Sequence, residues 1–164
     1  MLKLTLIPLL IIAIQAKVDP PNYNFSLEKL APFAPESSFE EIKTLYPKYE
    51  KVTLKGGVQA FKVYVEHDRY RFPLYFQVSG DSVTNYYARL PQYFLLNIFH
   101  QTLFVKYGLQ DTFKKLDEHA VYLWKNAEGR RILMVGECTI TCFPNFIAEY
   151  KSLNSAPLVS VFAD

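Results

Sequence analysis

The chain is poor in the residues on which many functional sites depend. Its 164 residues include two cysteines (Cys138 and Cys142), six glycines and three histidines. Two cysteines are too few for a disulfide scaffold. With so few glycines, loops that bring backbone close to a phosphate are scarce, and no phosphate-cradling Gly-rich loop is present. G-x-S-x-G and H-E-x-x-H are absent as well, which removes the commonest signatures of serine hydrolases and zinc peptidases. Charge is nearly balanced, at a formal +2. The longest basic clusters are pairs, Lys114–Lys115 and Arg130–Arg131. A nucleic-acid binder needs a concentrated basic face to displace counterions, and this balance argues against one.

What is present begins with an apolar run from Leu4 to Ile14, preceded by Met1 and Lys3 and followed by Gln15 and Ala16. Ile14 and Ala16 stand at the −3 and −1 positions of a signal-peptidase cut, so residues 1–16 read as a secretory leader. The run falls short of the roughly 20 residues that span a bilayer. No second long run follows, and the expectation is a soluble mature product, periplasmic or secreted, without an integral membrane segment after cleavage. Residues 17–36, with Pro20-Pro21, read as an irregular N-terminal segment in which Ser26–Leu30 suits a short helical turn closed by Pro32 and Pro35. Residues 37–164 read as a single domain. Half of the chain is hydrophobic and 16% is aromatic, enough to build a core.

Ser37 to Pro47 predicts a helix. A serine stands at its N-cap, Glu40 and Glu41 occupy its first turn, Phe39, Ile42 and Leu45–Tyr46 recur at helical spacing, and Pro47 stops it. Strand patterns follow at Phe61–Glu66, at Phe72–Val78 and at Ser82–Leu90. Pro73 lacks a backbone donor, which puts its strand at an edge or beside a bulge. Pro91 to Gly108 predicts a second helix, apolar around most of its girth and therefore well buried on a sheet. Gln110–Glu118 reads as a polar connection. Ala120–Trp124 and Arg130–Cys142 read as strands joined by a hairpin tip at Asn126–Gly129. Phe146–Leu153 reads as an amphipathic piece and Leu158–Phe162 as a last strand.

The fold class expected is α+β: a two-layer arrangement with an antiparallel sheet and two main helices packed on one face. Helix, Tyr46-Pro47, spacer and Phe61–Val65 are echoed loosely by helix, Tyr107-Gly108, spacer and Ala120–Trp124, which suggests a tandem helix–hairpin repeat. On element order and these two dipeptides, residues 37 to 143 resemble the fold of beta-lactamase inhibitory proteins and of BamE/SmpA-type outer-membrane assembly subunits. The resemblance implies antiparallel strands on which partner proteins dock. It transfers no functional residues, and the lipidation cysteine of the BamE type is missing.

Chemistry-bearing candidates are sparse. His100 shares a helical face with Asn97 and Gln101, and could serve as base for Cys138 or Cys142 as nucleophile. Core packing of both thiols and a half-buried histidine bonded to a neighbouring strand are the plainer alternatives. In a straight strand the two cysteines stand roughly 13 Å apart, against the less than about 7 Å that a disulfide needs, so a bond between them, which an oxidising compartment favours, requires a bulge or turn. Glu137, isolated among apolar residues, lies either on a solvent face or inward with a raised pKa. No metal site and no cofactor is expected. Tyr64, Tyr75, Tyr86 and Tyr122 fall opposite the clearest core positions. They form a candidate contact face, with Trp124 as anchor and Arg69 and Arg89 as rim.

The functional expectation is a non-enzymatic module of the bacterial envelope or extracellular space that binds a protein or peptide. The alternative is a small hydrolase or small-ligand binder with a pocket near His100 and a cysteine.

Overall fold

A computed structural model describes residues 26–67, 70–90, 96–116, 119–137, 146–151 and 158. The leader, the segment before Ser26, Arg69, Cys138 and Cys142 lie outside the described residues. The protein is mixed α+β and richer in sheet than the two-helix layout implies. Helix α1 (Phe39–Leu45) is followed by β1 (Glu50–Thr53), β2 (Gln59–His67), β3 (Tyr70–Ser79) and β4 (Ser82–Arg89). Helix α2 (Leu96–Tyr107) is followed by β5 (Thr112–Leu116), β6 (His119–Ala127), β7 (Arg130–Glu137) and β8 (Phe146–Tyr150). All eight strands form one antiparallel sheet in the order β1-β2-β3-β4-β8-β7-β6-β5.

Three elements depart from the sequence expectation. β1 and β5 were not anticipated, because their patterns, Glu-Lys-Val-Thr and Thr-Phe-Lys-Lys-Leu, are too charged to announce a buried face. Both are outer strands, where lysines are tolerated and discourage edge-to-edge pairing. The amphipathic piece after Phe146 is β8, which sits at the centre of the sheet between β4 and β7. Leu158, placed in a last strand by pattern, is helical and buried instead. Pro73 lies in an internal strand, but β3 pairs with β4 only from Leu74 to Ser79. At Pro73 the single strand neighbour is β2, so a missing donor is tolerated there as at an edge.

Local chemistry explains both helix ends. The Ser38 hydroxyl does not cap its own helix; it donates to Asp81 in the β3–β4 turn at 3.0 Å. Asp81 in turn accepts from the backbone N–H of Glu40 at 3.2 Å, so a tertiary carboxylate supplies the acceptor that the helix start needs. At the other helix, Gly108 adopts φ 78° just after the last turn, the left-handed conformation expected of a C-terminal glycine. Its carbonyl accepts from the Trp124 indole at 2.9 Å, tying α2 to β6.

The core lies mainly on one face of the sheet. Val63, Val65, Phe72, Leu74, Phe76, Tyr86, Ile132, Met134 and Ile147 pack there beneath Ile42 of α1 and Phe99 and Leu103 of α2. Leu30 and Phe33 belong to the same cluster, in two short 3-10 turns (Leu27–Lys29 and Ala31–Phe33) within the segment expected to be irregular. Phe33, Phe39, Phe61 and Phe76 form an aromatic stack with centroid spacings from 4.6 to 5.9 Å. The opposite face carries a smaller cluster of its own, formed by Ala60, Tyr87, Ala148 and Leu158.

Candidate functional site

Besides the outer strands β1 and β5, the second half of β2 also has an open backbone edge. β1 pairs with β2 only from Gln59 to Lys62, whereas β3 pairs with it from Phe61 to His67. Val63–Glu66 therefore has a strand on one side alone among the described residues, and His67 beyond it accepts the Ser26 backbone N–H on Nε2 at 3.1 Å. An edge of this kind presents unpaired backbone groups to any extended chain laid against it. A groove of about 580 Å³ runs beside it, with Val63, Tyr64 and Glu66 on its strand side. It is lined as well by Tyr46, Pro47 and Lys48, where the chain leaves α1, and by Glu28, Lys29 and Pro32 of the N-terminal turns.

Tyr64 stands at this groove with 37% of its surface exposed. Its ring is held from two sides, with the Lys62 ammonium 4.6 Å and the Arg71 guanidinium 4.2 Å from its centroid. Lys62 precedes it by two residues on the same strand face, and Arg71 is its diagonal neighbour on β3. Tyr46 packs its ring on Phe33 at 5.0 Å, and burial raises its phenol above the usual range. Both aromatic rings are thus fixed before any partner arrives, and ordering them would cost a partner little.

The tyrosine face expected from pattern is divided between the two sides of the sheet. Tyr64, Tyr75 and Arg89 share the face opposite the helices. Tyr86, Tyr122 and Trp124 lie on the helix-bearing face, where Tyr86 and Trp124 are buried. Register is the reason. The irregularity between Gln77 and Val78 leaves Tyr86 facing Phe76 and puts Tyr87, its neighbour, beside Tyr75. Tyr87 is covered by the smaller cluster, and burial pushes its phenol up to about 12.

His100 is half-buried, and its ring lies 4.2 Å from that of Tyr122 and 6.0 Å from that of Trp124. A ring nitrogen bonds the Gln110 side chain at 3.2 Å, in the loop after α2 rather than on a neighbouring strand. Glu137 ends β7 in register with His119. Helix α2 is less buried than its composition suggests: Phe104 and Val105 are exposed, Val105 at 78%.

Sequence reasoning passed over a second polar group, on the helix-bearing face. Glu149 of β8 is buried, with one carboxylate oxygen 2.7 Å from an Arg130 guanidinium nitrogen. Burial raises its pKa above the usual carboxylate range, opposed by Arg130 and by a hydrogen bond from Tyr86. Burial also drives the Tyr86 phenol well above its ordinary value, with the Glu149 charge adding to the effect. Its signal in the sequence was the same one that drew attention to Glu137: a lone acid within an apolar run, here Phe146-Ile147-Ala148-Glu149-Tyr150.

Comparison with protein-family models, curated proteins and solved structures gives no match. Among the described residues no group of three His, Cys, Asp or Glu side chains is placed to hold a metal ion. No helix among them is long and apolar enough to cross a membrane. The groove beside β2 offers backbone edge, aromatic contact and mixed charge, features that serve recognition of an extended chain.

Proposed function

We propose that this protein is an exported, non-enzymatic binding module that takes an extended peptide segment of a protein partner along the open edge of β2. The observation that carries this reading is the Val63–Glu66 edge with a groove of about 580 Å³ alongside it. Backbone pairing supplies affinity in strand addition, and side-chain pockets beside the edge supply selectivity. Tyr64, braced by Lys62 and Arg71, is the anchor, and Tyr46 and Pro47 flank it. Tyr75 and Arg89 extend the same sheet face, whereas Tyr122 and Trp124 have no part in it. Export rests on the leader-like residues 1–16, which gives a periplasmic or secreted location.

The order of elements supports a tandem reading as well. A helix followed by four strands occurs twice, and the two sets meet at β4 and β8. This layout keeps the likeness to the beta-lactamase inhibitory and BamE/SmpA-type group as a proposal, and strand-based docking agrees with it.

The test is selection of peptides from a random library on the full chain, followed by amide hydrogen exchange with and without the selected peptide. Strand addition protects the amides between Val63 and Glu66. Tyr64→Ala weakens the peptide by about tenfold or more, the scale of an interface anchor. Tyr122→Ala leaves affinity unchanged. Peptides that bind without protecting this edge and ignore Tyr64 overturn the proposal.

A further inference from the structure

Between α2, the N-terminal turns and the centre of the sheet lies a cavity of about 180 Å³, several times the roughly 30 Å³ that a water occupies in the liquid. Leu30, Leu103, Ile132 and Ile147 supply apolar walls. Its polar groups are Tyr86, Lys106, Tyr107, Arg130 and Glu149. They come from β4, α2, β7 and β8, so the cavity straddles the seam where β4 meets β8.

Donors outnumber acceptors in this lining. Arg130 sends one guanidinium nitrogen to Glu149 at 2.7 Å and another to Glu128 at 3.1 Å. A guanidinium carries five N–H groups, so these two contacts leave others for a ligand. Lys106, exposed at its outer side, holds its ammonium 5.1 Å from the Tyr107 ring centroid. The one carboxylate in the lining, Glu149, has Oε1 at ion-pair distance from Arg130, 2.7 Å, without the geometry of a hydrogen bond. An ammonium ligand would meet two cations against a single acid that is already 2.7 Å from one of them. An anion would meet free N–H donors beside a hydrocarbon wall.

We propose that this cavity binds a small organic monocarboxylate, its carboxylate on Arg130, Lys106 and the Tyr107 hydroxyl and its short aliphatic tail against Leu30, Leu103, Ile132 and Ile147. This site is separate from the β2 groove and does not depend on peptide binding. Glu149 has to tolerate the incoming charge. Its carboxyl is faced by Tyr86 from β4, Arg130 from β7, Lys106 from α2 and Glu128 from the hairpin turn. Burial already favours its neutral form, and an adjacent carboxylate favours it further. Binding therefore raises the proton affinity of an ionised Glu149, the proton coming from solvent with no other bond made or broken.

The experiment follows thermal unfolding of the full chain with butyrate, with butylamine and with sodium chloride at matched ionic strength. Butyrate raises Tm with a saturable concentration dependence, and the other two do not. Its affinity increases between about pH 7 and about pH 5.5, while the ligand itself stays ionised. Lys106→Ala, a change at an exposed position, weakens butyrate by about tenfold, the scale of one lost charge-assisted hydrogen bond. Three results each overturn the proposal: no shift at saturating butyrate, equal shifts with butylamine or chloride, or a butyrate shift indifferent to both pH and Lys106→Ala.

Discussion

The two faces of the sheet are made by the same strands, yet they bury different chemistry. On the helix-bearing face, the phenylalanine stack and the aliphatic side chains of β2, β3, β7 and β8 are sealed by α1, α2 and the N-terminal turns. One charged group, Glu149, is trapped among them. On the opposite face, the apolar cluster is the smaller one of Ala60, Tyr87, Ala148 and Leu158, with Asn85 and Tyr150 also buried and residues such as Tyr75 and Leu133 half-covered around it. By register, that face also carries Lys62, Arg71, Arg89, Arg131 and Lys114, against Glu50 and Glu66 among the described side chains. The difference teaches that stability and recognition are divided between the faces. One holds the core; the other offers a cationic surface with tyrosine on it.

The comparison can be broken most severely at Phe76, which is fully buried against Phe33, Phe39 and Phe61. Phe76→Ala should cost about 3–5 kcal/mol in urea unfolding, through lost transfer energy and the space left behind. A cost under about 1 kcal/mol would mean that the helix-bearing face is not the main core.

Arg130→Ala comes next, because it leaves Glu149 buried beside Tyr86 without its guanidinium. Arg130 keeps a quarter of its side chain exposed, so the expected loss is about 2–4 kcal/mol, somewhat below that of a fully buried pair. Adding Glu149→Gln should restore part of it. Additive losses in the double-mutant cycle would show that the two groups are not coupled.

The pH dependence of stability sharpens the same contrast. A carboxyl whose folded pKa is raised binds its proton more readily in the native state. Its contribution is full below the unfolded value and is lost as pH rises through the folded value. Relative to Glu149→Gln, the wild-type chain should therefore gain stability as pH falls from about 7 to about 4. A difference that is flat with pH would place Glu149 in water. At the alkaline end, ultraviolet titration should show Tyr86 and Tyr87 still protonated at about pH 11, where exposed phenols have ionised.

The smallest effect on stability is expected at Tyr64. Tyr64→Ala removes two partly solvated cation–π contacts and should shift unfolding by about 1 kcal/mol or less. If it destabilises as much as Phe76→Ala, the exposed face is part of the core and the division between faces fails.

Much of the local structure was legible in the residues themselves. Ser38, Glu40 and Glu41 announce α1, Gly108 ends α2, and Glu128-Gly129 turns β6 into β7 with positive φ at both residues. Alternation also identified the inward positions of β2, β3 and β7, because a period of two directly reports a half-buried strand. The site was far less legible. Tyr86 and Tyr87 are adjacent, and the side of the sheet each faces depended on a register shift at Gln77/Val78. The β2 groove exists because β1 stops pairing at Lys62, a length mismatch between two strands that no pattern within either one records.

By itself, then, the sequence determined the elements whose causes are local: caps, turns, alternation, and an α+β composition with a large aromatic content. Only the tertiary structure decided that β8 enters the middle of the sheet, bringing Glu149 to Arg130 and Tyr86 and closing one cavity between the two sets of strands. Pairing between strands far apart in the chain is set by the packing of whole faces and by loop closure. The free energy that chooses it is spread over the core rather than written in any short segment.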